Sequence, residues 1–486
     1  MSTAKQRKRK EHRILFFALA LVIVIPALVM ILRLTSSSPL YPVGESYYNL
    51  HLVRFLGQNP SLATDPIQRS VYEPNPYHYL LTFLYTLLPV EAVSLFLPIV
   101  LGLACALLLF KLLKLIKVKP NYAAYSIVIL SVTPVFIALS TGLYTAAFTM
   151  LLSLLATVLI LDKKMLSQVF GALSLIILAL TSLTGFILTI GIILFLSLAL
   201  KKVKKTLRTL VFSLIISIII SIPLTLLTNY TPRILGFHSF AFRNVFSILN
   251  AEYGFSVFLL ILFLIGFIVL WINDKDKVRK LFHLPVLLLV VLSFFNTVAR
   301  VYASFIITFY CVVAIIYFYK RRWHLKIVRQ GTLLLILCSL LFSSLNQINL
   351  LIDAQPDKDM LDALLFLRPA GSGDVLTLEE NGFLVEFYSY QRVLLDSNSF
   401  LNQEYPQMKD DVQALFMVTR LNDAEPLLTK QDVRYILITP YMKEELWESR
   451  EQGLWFLVKH SESFDKIYKE AEIEIWKYLG VPELEG

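Results

Sequence analysis

The sequence predicts a mainly α-helical polytopic membrane protein, with about eleven transmembrane helices and a small C-terminal α/β domain outside the membrane. Three observations lead there. The 486 residues are 57% hydrophobic and only 16% charged, against about 25% charged in soluble domains. A mean hydropathy of +0.67 over the whole chain exceeds what one buried core absorbs. The apolar residues also fall in runs of roughly 15 to 25, the length that crosses about 30 Å of hydrocarbon as a helix.

A charge asymmetry adds to these. Up to Ile352 the chain carries 32 Lys and Arg against 9 Asp and Glu, whereas from Asp353 onward it carries 13 against 26. The two parts therefore belong to different settings. The basic part is no nucleic-acid footprint, because its cations sit in short loops between apolar runs. Disordered, collagen-like and disulfide-scaffold classes are excluded. Cys105, Cys311 and Cys338 all fall inside apolar runs and read as small core residues.

The apolar runs lie at about 14–32, 91–110, 121–139, 143–161, 166–181, 184–200, 209–228, 254–272, 281–298, 302–319 and 331–352. The basic N-terminus and five basic stretches, at 111–119, 163–164, 201–208, 275–280 and 320–329, alternate with them and hold 26 of the 32 cations. That bias places the N-terminus in the cytoplasm. An odd number of spans then leaves the tail extracytoplasmic, and the expected location is the plasma membrane. The first run is longer than a signal h-region and no Ala-x-Ala-like site follows it, so it reads as a retained anchor. The pair around Thr181–Gly185 could form one bent span, but the 201–208 cluster would then lie outside, and two spans are expected.

The domain expectation is a membrane domain over 1–352, with a large first external loop at 33–90, and an extracytoplasmic domain over 353–486. Short helices are expected in the first loop at Tyr47–Leu56 and Pro76–Leu88, the second too short to span and suited to the interface. In the tail, strand-type runs at Asp374–Leu378, Arg392–Leu395, Tyr435–Thr439 and Glu472–Trp476 alternate with helical patterns at about 381–390, 408–420, 424–431 and 441–448. That order suggests a small parallel or mixed sheet. No Gly-rich phosphate loop, zinc spacing or nucleophile elbow occurs there.

Chemistry is confined to few residues. The outer face of the membrane part keeps the acids Glu45, Asp65, Glu73, Glu91 and Glu252. Glu45 is the sharpest candidate. It stands where a loop runs into a helix, so the helix dipole can hold its carboxylate near an attacking hydroxyl. A helix cap with no chemistry is the competing reading.

The six outer cations, Arg33, Arg54, Arg69, Arg233, Arg243 and Arg300, are all arginines, whose planar forks suit phosphate oxygens. Snorkelling to lipid headgroups is the alternative, favoured for Arg33. Arg300 lies between two apolar runs, where an unpaired charge is costly. His51 and His78, with Asp65, Arg69 and Glu73, are possible accessory residues. Neither histidine has a partner at zinc-ligand spacing, so hydrogen bonding outweighs metal binding for both.

The pattern resembles the membrane region of the GT-C glycosyltransferases, the superfamily of protein O-mannosyltransferases, the lipid A aminoarabinose transferase and oligosaccharyltransferase catalytic subunits. The residues that carry the resemblance are Glu45 with its aromatic helix, Pro74-Asn75-Pro76-Tyr77-His78-Tyr79-Leu80-Leu81, and Thr133-Pro134 in the third run. In the tail, Glu379-Glu380-Asn381-Gly382-Phe383-Leu384 is similar to the start of the external domain of oligosaccharyltransferases. That family has Trp-Trp-Asp-Tyr-Gly there, and only Gly382 survives, so transfer to Asn sequons is not supported.

The resemblance implies a GT-C-like helix arrangement and an enzyme that moves a sugar from a polyprenyl-phosphate donor to a protein or glycan acceptor at the outer face. Glu45 would be the catalytic acid of the first outer loop. Arg233, Arg243 and Arg300 would bind the donor phosphate and converge with Glu45 on one cleft. The family's second acid, in the outer turn after the third span, is missing from Ser140-Thr141-Gly142-Leu143-Tyr144. That omission weakens the case for Mg²⁺ or Mn²⁺, since one carboxylate with waters makes a poor site. It also keeps open a second reading, a catalytically degenerate relative that acts as a binding or scaffold protein. A transporter ranks low, because the spans carry few ionisable groups and no internal repeat.

Overall fold

The computed structural model describes residues 3–42, 44–59, 67, 75–162, 164–200, 203–228, 246, 254–274, 280, 283–371, 373–399, 404–447 and 452–480. The chain is mainly helical and forms two compact units: residues 1–32 with 73–353, and residues 33–72 with 354–486. Residues 33–72, part of the loop expected at 33–90, thus fold with the C-terminal segment, whereas residues 73–90 go with the first unit.

The first unit is a helix bundle. It holds most of α1 (Thr3–Thr35), then α3 (Pro76–Leu87), α4 (Val90–Leu115), α5 (Pro120–Ser131), α6 (Pro134–Leu139), α7 (Thr145–Ile160), α8 (Met165–Thr181), α9 (Leu183–Ala199), α10 (Val203–Thr228), α11 (Val257–Asn273), α12 (Leu284–Leu292), α13 (Thr297–Lys320) and α14 (Lys326–Asp353). Residues 11–35 of α1, α4, α13 and the helical stretch that begins at Lys326 are long and apolar enough to cross a membrane. The helices α7, α8, α9, α11 and residues 206–220 of α10 are apolar but shorter. This is a multi-pass membrane protein.

Local sequence sets the breaks. The expected run 121–139 is two helices, because Pro134 offers no N–H to continue α5 and its ring pushes Thr133 to an extended conformation (φ −78°, ψ 136°). The pair around Thr181–Gly185 is two helices joined at Ser182, whose hydroxyl caps α9 by accepting from the Gly185 N–H at 3.1 Å. Asn75 caps α3 in the same way, accepting from Tyr77 N at 2.9 Å, and Pro76 follows at a position that needs no donor. Asn296 ends the apolar run 281–298 early by capping α13 through Ala299 N.

The bundle closes through small residues and hydroxyls. A β-carbon on Gly266 of α11 would stand 2.0 Å from the Tyr310 carbonyl oxygen of α13, so the two helices meet backbone to backbone. Thr189 of α9 donates to Ser153 of α7 at 2.7 Å and meets the Tyr302 hydroxyl of α13 at 2.9 Å, which joins three helices through buried polar groups.

The second unit contains α2 (Gly44–Gln58), α15 (Lys358–Leu367), α16 (Gly382–Ser389), α17 (Tyr405–Met417), α18 (Leu421–Lys430), α19 (Pro440–Glu445) and α20 (Gly453–His460). These pack with a four-stranded mixed sheet in the order β1-β2-β4-β3, made of β1 (Asp374–Leu376), β2 (Val433–Ile438), β3 (Phe464–Glu470) and β4 (Ile473–Tyr478). β1 runs parallel to β2, and β4 is antiparallel to both β2 and β3.

One strand expectation needs correction, and one strand, β3, was not expected. Arg392–Leu395 makes only an isolated bridge, Val375 with Val393. β3 escapes a pattern search because FDKIYKE carries four charges and lies at the sheet edge, where charge hinders further pairing. The core beneath the sheet gathers Leu415, Phe416, Ile436, Ile438, Trp447 and Trp476. Trp447 Nε1 donates to the Phe416 carbonyl at 2.8 Å, which satisfies the one polar atom of that fully buried ring.

Candidate active site

Glu45 lies in the first turn of α2 and is half-buried. A carboxylate in that position faces free backbone N–H groups and the positive end of the helix dipole. The rest of α2 is amphipathic, burying Tyr47, His51, Leu52 and Leu56. That face packs against α16. Tyr48 meets Phe383 with ring centroids 4.7 Å apart, and Tyr47 meets both Phe387 and Tyr388 at 5.3 Å. The Tyr47 hydroxyl donates to the Tyr41 carbonyl at 3.0 Å, and burial raises its pKa well above the usual phenol value.

The consequence is a meeting of two chain segments more than 330 residues apart in sequence. A β-carbon on Gly44 would lie 3.4 Å from Phe383 Cδ2 and 3.6 Å from the Glu380 carbonyl oxygen. The start of the Glu45 helix thus sits beside the Glu379–Asn381 turn and the start of α16, the stretch that resembles the external domain of oligosaccharyltransferases. Of the acids in that turn, Glu379 accepts from the Tyr405 hydroxyl and pairs with Lys409 at 3.8 Å, while Glu380 is exposed.

Gly382 is held by packing. A β-carbon there would stand 2.7 Å from Asp396 Cα and 2.9 Å from the Leu395 carbonyl oxygen. Its survival has a structural cause in this chain.

The other candidates separate. His51 is buried on α2 with Phe55 against its ring, and His78 is buried on α3 of the first unit. Burial pushes the His78 imidazole down to about 3, so it is neutral at physiological pH. Arg300 is buried in the first turn of α13, and its Nε donates to the carbonyl of Ser293, the residue that caps the C-terminus of α12, at 3.1 Å. A cation there meets the negative end of the α12 dipole. Arg233, Arg243, Asp65, Arg69 and Glu73 lie outside the described residues.

The turn after α6 is buried throughout. Ser140 and Thr141 donate to the Phe136 and Ala138 carbonyls, so these hydroxyls serve the end of the helix. Among the described residues, no three His, Cys, Asp or Glu side chains are grouped to hold a metal.

Two features escaped sequence reasoning. Arg33 is fully buried, contrary to the snorkelling reading. Its guanidinium donates to the carbonyls of Pro39 (2.9 Å), Tyr41 (3.2 Å), Ala354 (2.8 Å) and Pro356 (2.9 Å). It thereby ties the first-loop segment to the beginning of the C-terminal segment within the second unit. Four carbonyls converging from such distant positions leave no local signal. The second is a pair of arginines, Arg54 and Arg368, stacked on the Tyr390 ring.

No family model and no curated protein matches the sequence. Solved structures do match. The archaeal oligosaccharyltransferase AglB from Archaeoglobus fulgidus, in complex with an inhibitory peptide and a dolichol-phosphate, superposes with a TM-score of 0.62 at 12% identity, over 95% of this chain and 73% of that one. The Archaeoglobus fulgidus oligosaccharyltransferase in complex with Zn and sulfate gives 0.58 at 13% identity, over 92% and 71%. ArnT from Cupriavidus metallidurans bound to undecaprenyl phosphate gives 0.52 at 10% identity, over 96% and 99%. Likeness at this identity is likeness of architecture, and over more than nine-tenths of its length this chain has the fold of the GT-C membrane glycosyltransferases.

Proposed function

We propose that this protein is a glycosyltransferase that moves a sugar from a polyprenyl-phosphate donor to a protein or glycan acceptor at the outer face of the plasma membrane. The observation that carries the proposal is the placement of Glu45. It stands in the first turn of a helix whose start packs against Glu380 and Phe383, so the two segments singled out by the GT-C resemblance are neighbours. The fold likeness to proteins solved with dolichol-phosphate and undecaprenyl phosphate supports the donor class. In the same reading the chain makes eleven spans, with a cytoplasmic N-terminus and residues 353–486 outside, which the distribution of cations supports.

In the reaction, an acceptor hydroxyl approaches the anomeric carbon and Glu45 takes its proton as general base. The new bond forms from the acceptor oxygen to that carbon as the bond to the phosphate oxygen breaks, with inversion. The phosphate leaves with the electron pair. Arg300, together with Arg233 and Arg243, neutralises the charge that grows on it. Glu45 brings one carboxylate and the Ser140–Tyr144 turn brings none, so a divalent cation would need Asp65 or Glu73 to complete its ligands, and otherwise the reaction runs without one. The zinc of the archaeal relative is a property of that protein.

The test is a donor screen with purified protein and mass-spectrometric detection of the transferred sugar. Glu45→Gln keeps the shape of the side chain and removes the base, so turnover should fall by roughly 10²-fold or more at an unchanged melting temperature. Unchanged turnover removes Glu45 from the mechanism. The absence of a carboxylate from the turn after α6 favours one other reading, a binding relative without catalysis. Saturable binding of a polyprenyl-phosphate sugar without transfer would select it.

A further inference from the structure

The second unit is acidic. From Asp353 onward it has twice as many acids as cations, and several of its cations sit beside acids. Arg392 pairs with Asp374 at 3.4 Å, Lys409 with Glu379 at 3.8 Å, Lys430 with Asp411 at 2.6 Å, and Lys443 with Glu474 at 3.2 Å. Two exposed arginines share one aromatic ring, and neither has a carboxylate partner among the described residues. Arg54, in the third turn of α2, lies 5.0 Å from the Tyr390 ring centroid and 5.1 Å from that of Phe387. Arg368, the C-cap of α15, lies 4.5 Å from the same Tyr390 ring.

We propose that Arg54, Arg368 and Tyr390 form a binding site for a phosphate-class oxyanion. Three elements build it: α2 carries Arg54, α15 ends in Arg368, and α16 ends in Tyr390. Tyr390 takes a left-handed conformation (φ 57°), unusual for so bulky a residue. Each cation stands over the ring, within 5.0 Å of its centroid, a contact that uses up no hydrogen-bond donor. Both guanidinium forks therefore keep their N–H groups for a ligand. The Arg54 pKa is lowered first by desolvation and then by Arg368, so the fields of the two cations overlap.

Two like charges held at one ring repel, and a bound anion relieves that repulsion. A carboxylate fills one fork with its two oxygens. A phosphate has oxygens enough for two forks, which selects the tetrahedral oxyanion. The phosphate can be a free monoester or a lipid headgroup. The site uses neither Glu45 nor the proposed donor arginines, so it stands whether or not sugar transfer occurs.

The experiment uses the full-length protein in detergent, titrated at constant ionic strength with inorganic phosphate and, separately, with dihexanoyl phosphatidic acid. Binding is followed by calorimetry and by the shift in melting temperature. The wild type should bind at least one probe saturably, and the Arg54→Gln/Arg368→Gln variant should bind it about tenfold more weakly or worse. Arg54→Lys/Arg368→Lys keeps the charge and loses the forks, so its affinity should fall in between. Equal affinity for the two probes points to a free phosphate group, and tighter binding of phosphatidic acid points to a lipid headgroup. Saturable binding that is identical in wild type and double Gln variant overturns the site, as does its complete absence. A variant that melts lower while its phosphate response is unchanged also overturns it and reduces the arginines to packing.

Discussion

Arg33 and the Arg54–Arg368 pair belong to the same compact unit and share a side chain, yet they solve opposite problems. Arg33 is fully buried and donates to four backbone carbonyls drawn from both segments of the unit. Its charge is taken up by peptide dipoles, and its geometry is over-determined. Arg54 and Arg368 are exposed, rest on an aromatic ring and donate to no protein acceptor among the described residues. The difference teaches that arginine within one compact unit is not one kind of residue. Where its forks are satisfied it is architecture, and where they are idle it is available to a ligand.

The largest effect that could break this contrast is at Arg33. Arg33→Met keeps an unbranched side chain of similar length but strips the carbonyls of Pro39, Tyr41, Ala354 and Pro356 of these donors. Buried acceptors left without partners, together with the lost charge-assisted bonds, should cost roughly 3–5 kcal/mol. The expected outcome is a variant with a sharply lower melting temperature and early proteolysis in residues 33–72. A variant as stable as the wild type would show that water replaces those bonds and that Arg33 is not the staple the contacts describe. Glu45→Gln is the opposite probe, since it should remove activity and leave the melting temperature in place.

A smaller loss is expected at Gly382, which the comparison places on the architectural side. Gly382→Ala drives a methyl group into Asp396 and the Leu395 carbonyl. That displacement should lower stability by about 1–3 kcal/mol, as overpacking usually does, and shift the start of α16 away from α2. Limited proteolysis around residues 379–399 reads the change. If stability holds while sugar transfer collapses, the glycine serves the acceptor and not the packing.

These residues also mark how far the sequence could be read. Helix existence was legible, because runs of apolar residues leave the chain few choices in a bilayer and because Pro134, Ser182 and Asn75 punctuate it locally. Both short helices expected within 33–90 are present as α2 and α3. β3 was not legible, since a charged edge strand has no apolar alternation to detect. In the candidate site, Glu45 and the Glu379–Leu384 stretch could each be picked out, but nothing in the sequence announces that Gly44 meets Phe383. That contact depends on the burial of Tyr47 and Tyr48 against α16. The roles of Arg33, Arg54 and Arg368 were hidden likewise, because each is decided by carbonyls or rings supplied from elsewhere in the chain.

His78 sharpens the contrast with the smallest effect, for it tests a polar side chain on the architectural side in the first unit. Its imidazole is buried and its pKa is depressed from 6.5 to about 3. A depressed folded-state pKa means that the unfolded chain binds the proton more readily. The stability this group contributes is therefore complete above pH 6.5 and is lost as the pH falls from there toward 3, by ~1.4 kcal/mol per pH unit. Comparing wild type with His78→Gln between pH 7 and 4 isolates that slope, because every other titrating group is common to both. The wild type should lose stability faster by close to one proton, and the two curves should run parallel above pH 7. Parallel curves throughout would mean that the imidazole is hydrated and titrates alike in the folded and unfolded chain. His78 would then join the groups open to ligands, and the acid limb of the transfer activity would have to be assigned to it before Glu45.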